Sequence, residues 1–346
     1  MVRYLIFILF IFFLQIELSA AQAAIRGMVK GQIRDAESGQ PLPYTNVFLS
    51  NTTLGDAADD NGDYEIVRIP PGSYQLVVSR IGYEIVVQDI AILPGKTKTL
   101  DIDLQVKSIE GEEISIVGKK NKRQWKRDLK EFTRYFIGET PNASRCKIIN
   151  PQILSFEREA VTRNLLASTA RVLVVENRSL GYRIEIVLVS FRWGRDGGQY
   201  VIYPKYTVLE PRNEREHKRW QKNRRTAFRV SMRDFFAALA TKDQNRDYIV
   251  YQVEKSVGGN SDRGIRLDSL NITLKDSSRG LQCLENDGLL QVERRSGGIS
   301  NIDLKYDFID FDVLGNIYPA DGVLISGYWG RYRVADSLPF DYWPEN

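Results

Sequence analysis

Histidine is almost absent from this 346-residue chain: there is one, His217. A carboxypeptidase-type zinc site needs two imidazoles and a carboxylate, so that chemistry is excluded on ligand count. A serine or cysteine nucleophile would have to use His217 as its base. That residue stands in Glu214–Arg225, where charge on every side predicts an exposed helix, and no G-x-S-x-G elbow occurs. Walker and dinucleotide-binding fingerprints are also missing. Cysteine is scarce too, with only Cys146 and Cys283. Spacing leaves two readings open: one long-range bridge in an oxidising compartment, or two separate thiols. Charge of one sign is not in excess. The net value is +4, too small to point to nucleic acid.

Long apolar runs are confined to the N-terminus. Arg3 precedes LIFILFIFFLQI, which is short for a membrane span, and Ala21-Gln22-Ala23 fits an A-x-A cleavage site. Residues 1–23 therefore read as a signal peptide and the chain as exported. No cysteine near that site offers a thiol for a lipid anchor. No second run of about eighteen apolar residues follows, so the mature chain is expected not to span a bilayer. No cofactor is implied.

What is present begins with strands. Over Met28–Ile92 short apolar runs alternate at period two. Glu37-Ser38-Gly39, Asp60-Asn61-Gly62-Asp63, Pro70-Pro71-Gly72 and Ile81-Gly82-Tyr83 punctuate them. Strands are expected at Gly27–Arg34, Tyr44–Ser50, Leu54–Ala58, Asp63–Ile69, Tyr74–Arg80, Glu84–Leu93 and Thr97–Leu104, about seven in all, as in an Ig-like or prealbumin-like sandwich. The cluster Asp59–Asp63 has oxygen ligands and a glycine, as calcium loops do. Position twelve of such a loop would be Pro70, which has no ligating side chain, so a hairpin turn is the preferred reading.

The order of Gly31, Asp35, Ser38, Gly39, Pro41, Leu42, Pro43, Asn46 and Val47, then Asp59, Gly62 and Tyr64, then Pro71, Gly72, Tyr74 and Leu76, then Gly82 and Tyr83, resembles the carboxypeptidase-regulatory-like (transthyretin-like) β-sandwich domain. Tyr44-Thr45 departs mildly from its pattern, which has a small residue before the asparagine. The resemblance implies a sandwich over 25–105 and no peptidase activity, because the domain is an accessory to whatever it is joined to.

Residues 106–122 read as a linker, with acidic Glu110–Glu113, an apolar stretch Ile114–Val117 and a basic end. Beyond it, 123–346 reads as an α+β domain. Trp125, Leu129, Phe132 and Phe136 form one helical stripe ending near Gly138, suited to docking on a sheet; a basic helix lying on a membrane is the alternative. Strands are expected at Ala170–Glu176, Tyr182–Trp193 and Gln199–Leu209, the middle one buried on both faces in part. A helical region spans Glu214–Lys242, and the rest is β with a Tyr/Trp-rich tail. Within the basic run, Arg212, Arg215, Lys218, Arg219 and Lys222, with Trp220 among them, are candidates for contact with a polyanion such as a phosphorylated or acidic glycan. The competing reading is a solvated helix face.

Trp125, Phe132, Phe136, Gly138, Glu139, Thr140, Asn142, Ala143, Cys146, Asn150, Pro151, Gly181 and Tyr182, together with Trp329, Ala335, Asp336, Leu338, Pro339 and Asp341, resemble the pattern of a family of Bacteroidota envelope proteins that carry the same N-terminal β-domain. That resemblance implies a periplasm-facing or outer-membrane-associated address and brings no activity with it. The expected function is non-enzymatic binding or scaffolding, with an envelope glycan or an outer-membrane protein as partner. Two alternatives stand beside it: a glycan hydrolase using paired carboxylates, and sugar binding by the sandwich through Tyr44, Tyr64, Tyr74 or Tyr83.

Overall fold

The computed structural model describes residues 26–107, 122–169, 171–195, 197–242, 248–253, 264–276, 280–295, 297–319 and 322–344. Residues 1–23, read above as a signal peptide, the start of the strand expected from Ala170 and most of the expected linker, including Ile114–Val117, lie outside them. The chain forms two compact units. One holds the described residues up to Phe48 and Leu54–Lys107; the other holds Leu49–Thr53 and the described residues beyond 107.

The first unit is built from two four-stranded sheets. Its strands are β1 (Gly27–Asp35), β2 (Asn46–Leu49), β3 (Gly55–Ala57), β4 (Asp63–Ile69), β5 (Gly72–Ser79), β6 (Val86–Ile92), β7 (Thr97–Thr99) and β8 (Ile102–Leu104). One sheet runs β4-β1-β7 with β8 also on β1, and the other runs β3-β2-β5-β6. The period-two pattern does what alternation requires: Val29, Ile33, Ile66, Tyr74, Leu76 and Val78 are buried. The last expected strand is two. The Asp101 carboxylate accepts from the Gln32 amide at 2.9 Å and so takes a ladder position between β7 and β8. At this crossing the backbones approach closely, and a Cβ on Gly31 would meet the Leu100 carbonyl oxygen at 1.9 Å.

The turn residues act through side-chain oxygens. Asp35 accepts from the amides of Glu37 and Ser38, the Ser38 hydroxyl and the Tyr83 hydroxyl. Asp59 accepts from the amides of Asn61 and Asp63, which closes the hairpin expected there.

The second unit opens with helix α1 (Lys122–Ile137). Phe132 and Phe136 are fully buried against an antiparallel sheet, which stabilises the docking by about 2–3 kcal/mol per ring. Trp125 donates from its indole to the Leu154 carbonyl at 3.0 Å. Buried Asp128 and neighbouring Glu131 both pair with Arg158 at 2.6 Å, fixing the helix to its neighbouring strand.

That sheet contains β9 (Cys146–Ile148), β10 (Leu154–Arg158), β11 (Leu165–Thr169), β12 (Leu173–Asn177), β13 (Tyr182–Gly194) and β14 (Gly197–Val208). The register of β13 against β14 slips between Leu188 and Ser190. The slip changes which parity faces inward. Tyr182, Ile184 and Ile186 are buried before it, Phe191 and Trp193 after it, and Val187 and Leu188 are buried on both faces beside it.

Two helices then stand where one helical region was expected: α2 (Glu214–Arg229) and α3 (Met232–Thr241). The break is chemical. Ser231 leaves helical geometry and its hydroxyl accepts the Asp234 amide at 3.2 Å. Asn213 caps α2 in the same way at 2.9 Å.

Strands β15 (Tyr248–Val253), β16 (Ile265–Arg266), β17 (Asn271–Asp276), β18 (Leu281–Glu285), β19 (Leu289–Arg294), β20 (Ile299–Leu304), β21 (Phe308–Phe311), β22 (Ile317–Tyr318) and β23 (Val323–Gly327) complete two further sheets. Phe235 and Phe236 of α3 join their core. The Arg233 guanidinium donates to the carbonyls of Leu314, Pro339, Phe340 and Tyr342 and so ties the tail to α3. The chain as a whole is mainly β, with a sandwich ahead of an α+β part. Among the described residues no helix is long and apolar enough to cross a membrane.

Candidate ligand-binding cleft

The second unit contains a cleft of about 800 Å³, within the range that small-molecule sites occupy. Five segments line it: the end of α1, the loop 138–142, the end of β13, the inner face of α2, and residues 328–336.

Its floor is a chain of polar side chains. The Asn223 amide donates to the Ser179 carbonyl at 2.9 Å. The Ser179 hydroxyl donates to Asn142 Oδ1, and Asn142 Nδ2 donates to Asp336 Oδ1 at 2.9 Å. The Thr140 hydroxyl lies 2.8 and 2.9 Å from the two Asp336 oxygens. Asp336 is buried, and burial raises its pKa against the opposing pull of Asn142 and Thr140.

The walls are aromatic and basic. Tyr135 stacks on Trp193 with ring centroids 5.0 Å apart. The Arg333 guanidinium lies 4.9 Å from the Trp193 ring, and Gly138 lets its stem pass. Tyr328 and Tyr332 meet edge to face at 5.4 Å. The Tyr332 hydroxyl is held in its neutral form, first by burial and then by Tyr328. Arg134 and Glu139 pair across the rim at 3.0 Å, and the carboxylate raises the Arg134 pKa.

Helix α2 is seated by the β12–β13 turn. Trp220 is buried over that turn and donates to the Arg178 carbonyl at 2.8 Å. Arg224 donates to the carbonyls of Leu180 and Gly181 and lies 4.1 Å from the Tyr182 ring. This corrects the reading of Glu214–Arg225 as a helix exposed all round. Trp220 packs, and Glu216 is buried, accepting from the Arg212 amide and from Arg178 and Arg219. The Arg212 amide is the leading cause that lowers the Glu216 pKa.

None of the five residues expected to meet a polyanion lines the cleft. Arg212, Arg215, Lys218 and Lys222 are exposed on or beside α2; Lys218 lies 3.7 Å from Glu214, and Arg219 lies 3.0 Å from Glu216. His217 is half-buried on the same helix.

Cys146 and Cys283 are not brought together. Both thiols are free and sit in different sheets, on β9 and β18. Of the two readings left open for them, the structure shows separate thiols. Burial raises the pKa of both, that of Cys146 to about 12.

Of the four sandwich tyrosines, Tyr64 and Tyr74 are buried and donate to backbone carbonyls, Tyr83 donates to Asp35, and Tyr44 is 71% exposed. Tyr44 is exposed and Tyr83 half-buried, so two of the four leave ring surface open.

The cleft residues Tyr135, Asn142, Trp193, Asn223, Arg331, Arg333 and Asp336 were not singled out as a site by sequence. A signal existed for two of them, Asn142 and Asp336, and for neighbours of the first. Gly138, Glu139, Thr140 and Asn142 stand in one quoted motif and Asp336 in another, and the fold joins the two. Among the described residues no cluster of His, Cys, Asp and Glu is arranged to hold a metal ion.

No curated protein matches the sequence. The Bacillus cereus major pilin subunit BcpA is similar at 15% identity, covering 23% of this chain and 30% of that one, with a TM-score of 0.21. GBS52, a minor pilin of Streptococcus agalactiae, is similar at 17% identity over 24% of this chain and 44% of that one, TM-score 0.21. The Bacillus anthracis TIE protein is similar at 13% identity over 53% of this chain and 28% of that one, TM-score 0.21. This chain thus spans less than half the length of each. Residues 29–116 match the family model of the CarboxypepD_reg-like domain, so the chain carries that domain over its first unit, ahead of every residue that lines the cleft.

Proposed function

We propose that this is an exported binding protein of the cell envelope, in which the regulatory-like sandwich is an accessory module and the cleft of the second unit holds the ligand. The observation that carries this reading is the cleft's combination of aromatic walls with a polar floor. Aromatic faces take the C–H side of a sugar-like ring, and fixed amide and hydroxyl groups orient it. The address rests on the N-terminal apolar run and on Ala21-Gln22-Ala23. A binding role also fits how the two carboxylates are engaged. Asp336 accepts from Thr140 and Asn142, and Glu139 is paired with Arg134. A general acid needs a carboxyl proton free to donate to a leaving group.

The test is a panel of envelope-type oligosaccharides offered to the full chain, read by tryptophan fluorescence and calorimetry. Binding is expected to quench Trp193, and Tyr135→Ala is expected to weaken it at least tenfold. Absence of binding across the panel overturns the reading. Cleavage of a bound oligosaccharide, lost in Asp336→Asn, overturns it in favour of a hydrolase.

A further inference from the structure

The lining of the cleft carries three guanidiniums, Arg134, Arg331 and Arg333, against two carboxylates, Glu139 and Asp336. These charges are not equally available to a ligand. Arg134 is matched by Glu139 at 3.0 Å on the rim. Asp336 is buried beneath Thr140 and Asn142, whose donors lie at 2.8–2.9 Å from its oxygens.

Among the described residues neither Arg331 nor Arg333 forms an ion pair, although Arg333 is near enough to Asp336 to act on its charge. Arg333 is held in place: it lies 4.9 Å from the Trp193 ring, its stem packs on Gly138, and one terminal nitrogen donates to the Tyr332 carbonyl at 2.7 Å. Arg331 is exposed at the mouth. Planar guanidinium forks match carboxylate and phosphate oxygens better than any other side chain does. The half-buried rings of Tyr135, Tyr328 and Tyr332 stand beside them.

We infer that the ligand of this cleft is an acidic sugar, whose ring lies on the tyrosines and whose anionic group is received by Arg331 and Arg333. This rests on the proposal that the cleft is a binding site and adds the charge of what binds. Carboxylate and phosphate substituents share the chemistry, so both are offered in the test.

Calorimetry with the full chain compares galacturonic acid trisaccharide, galactose trisaccharide and galactose 6-phosphate at low salt. At least one acidic probe is expected to bind about tenfold or more tightly than the neutral trisaccharide. That preference shrinks at high salt. Arg331→Gln is expected to lower acidic binding about tenfold and so to shrink the preference for the acidic probe over the neutral trisaccharide. Because Arg331 is exposed, the unfolding midpoint of that variant should match the parent, so the result does not depend on Arg333 variants folding. Equal affinity for acidic and neutral sugars, or an acidic preference untouched by Arg331→Gln, overturns the inference while the cleft stays a sugar site. Failure of all three to bind, together with failure of the wider panel, overturns the underlying reading as well.

Discussion

Gly181→Ala tests the seating of α2 and with it one wall of the cleft. Gly181 adopts φ +72°, and a Cβ there would stand 2.3 Å from a carbon of the buried Trp220 ring. Two costs combine. A non-glycine residue in the left-handed region costs about 1–2 kcal/mol. Displacing a packed ring costs a further ~1–3 kcal/mol. The sum is about 2–5 kcal/mol. With a urea dependence near ~2.5 kcal/mol/M for a unit of this size, the midpoint should fall by about 1–2 M. The assay is urea unfolding followed by tryptophan fluorescence. It reports the second unit alone, because all five tryptophans, Trp125, Trp193, Trp220, Trp329 and Trp343, lie there. In a Trp220→Leu background the clash disappears, and Gly181→Ala should cost only its backbone part. A coupling of about 1–3 kcal/mol between the two sites is therefore expected. A midpoint for Gly181→Ala within about 0.3 M of the parent, below the shift expected from the backbone cost alone, would refute the reasoning.

Two further outcomes follow from ionisation. The Ser38 amide first, then the hydroxyls of Tyr83 and Ser38, hold the Asp35 carboxyl down at about 2. A lowered carboxylate contributes stability that is complete above the unfolded value near ~3.9 and is lost as pH falls through the folded value. Hydrogen-exchange protection of β1 should therefore drop between about pH 4 and pH 2, and Asp35→Asn should flatten that dependence while lowering protection at neutral pH. The cysteines give the second outcome. With Cys146 at about 12 and Cys283 also raised, neither thiol should react with iodoacetamide at pH 8 in the native state. Both should be labelled in denaturant without reductant, and labelling only after reduction would show a bridge instead.

The first unit was legible because its rules are short-range. Asp35, Ser38 and Asp59 close turns within a few residues of themselves, and period-two alternation names the buried face of each strand. The stripe of α1 was legible for the same reason at period 3.6. What hid the rest was distance along the chain or a local slip. The bulge after Leu188 changes facing parity without altering composition. Charge concealed a packing face on α2, since Trp220 and Glu216 point inward from a run that is basic almost throughout. The cleft was least legible. Thr140 and Asn142 meet Asp336 across 196 and 194 residues, and only the path of the tail joins the two.

That path also explains why the cleft divides into a fixed part and a receptive part. The floor donors are already committed: Asn223 to Ser179, Ser179 to Asn142, and Asn142 and Thr140 to Asp336. A buried polar chain satisfied in this way is rigid, and breaking it to meet a ligand would leave unpaired groups costing about 1–3 kcal/mol each. The same segment that supplies Asp336 to the floor supplies Arg331, Tyr332 and Arg333 to the wall. Anchoring the carboxylate below therefore sets where the guanidiniums stand above. The groups best placed to form new contacts at little cost are the ones on the wall and mouth, and there the uncompensated charge is positive.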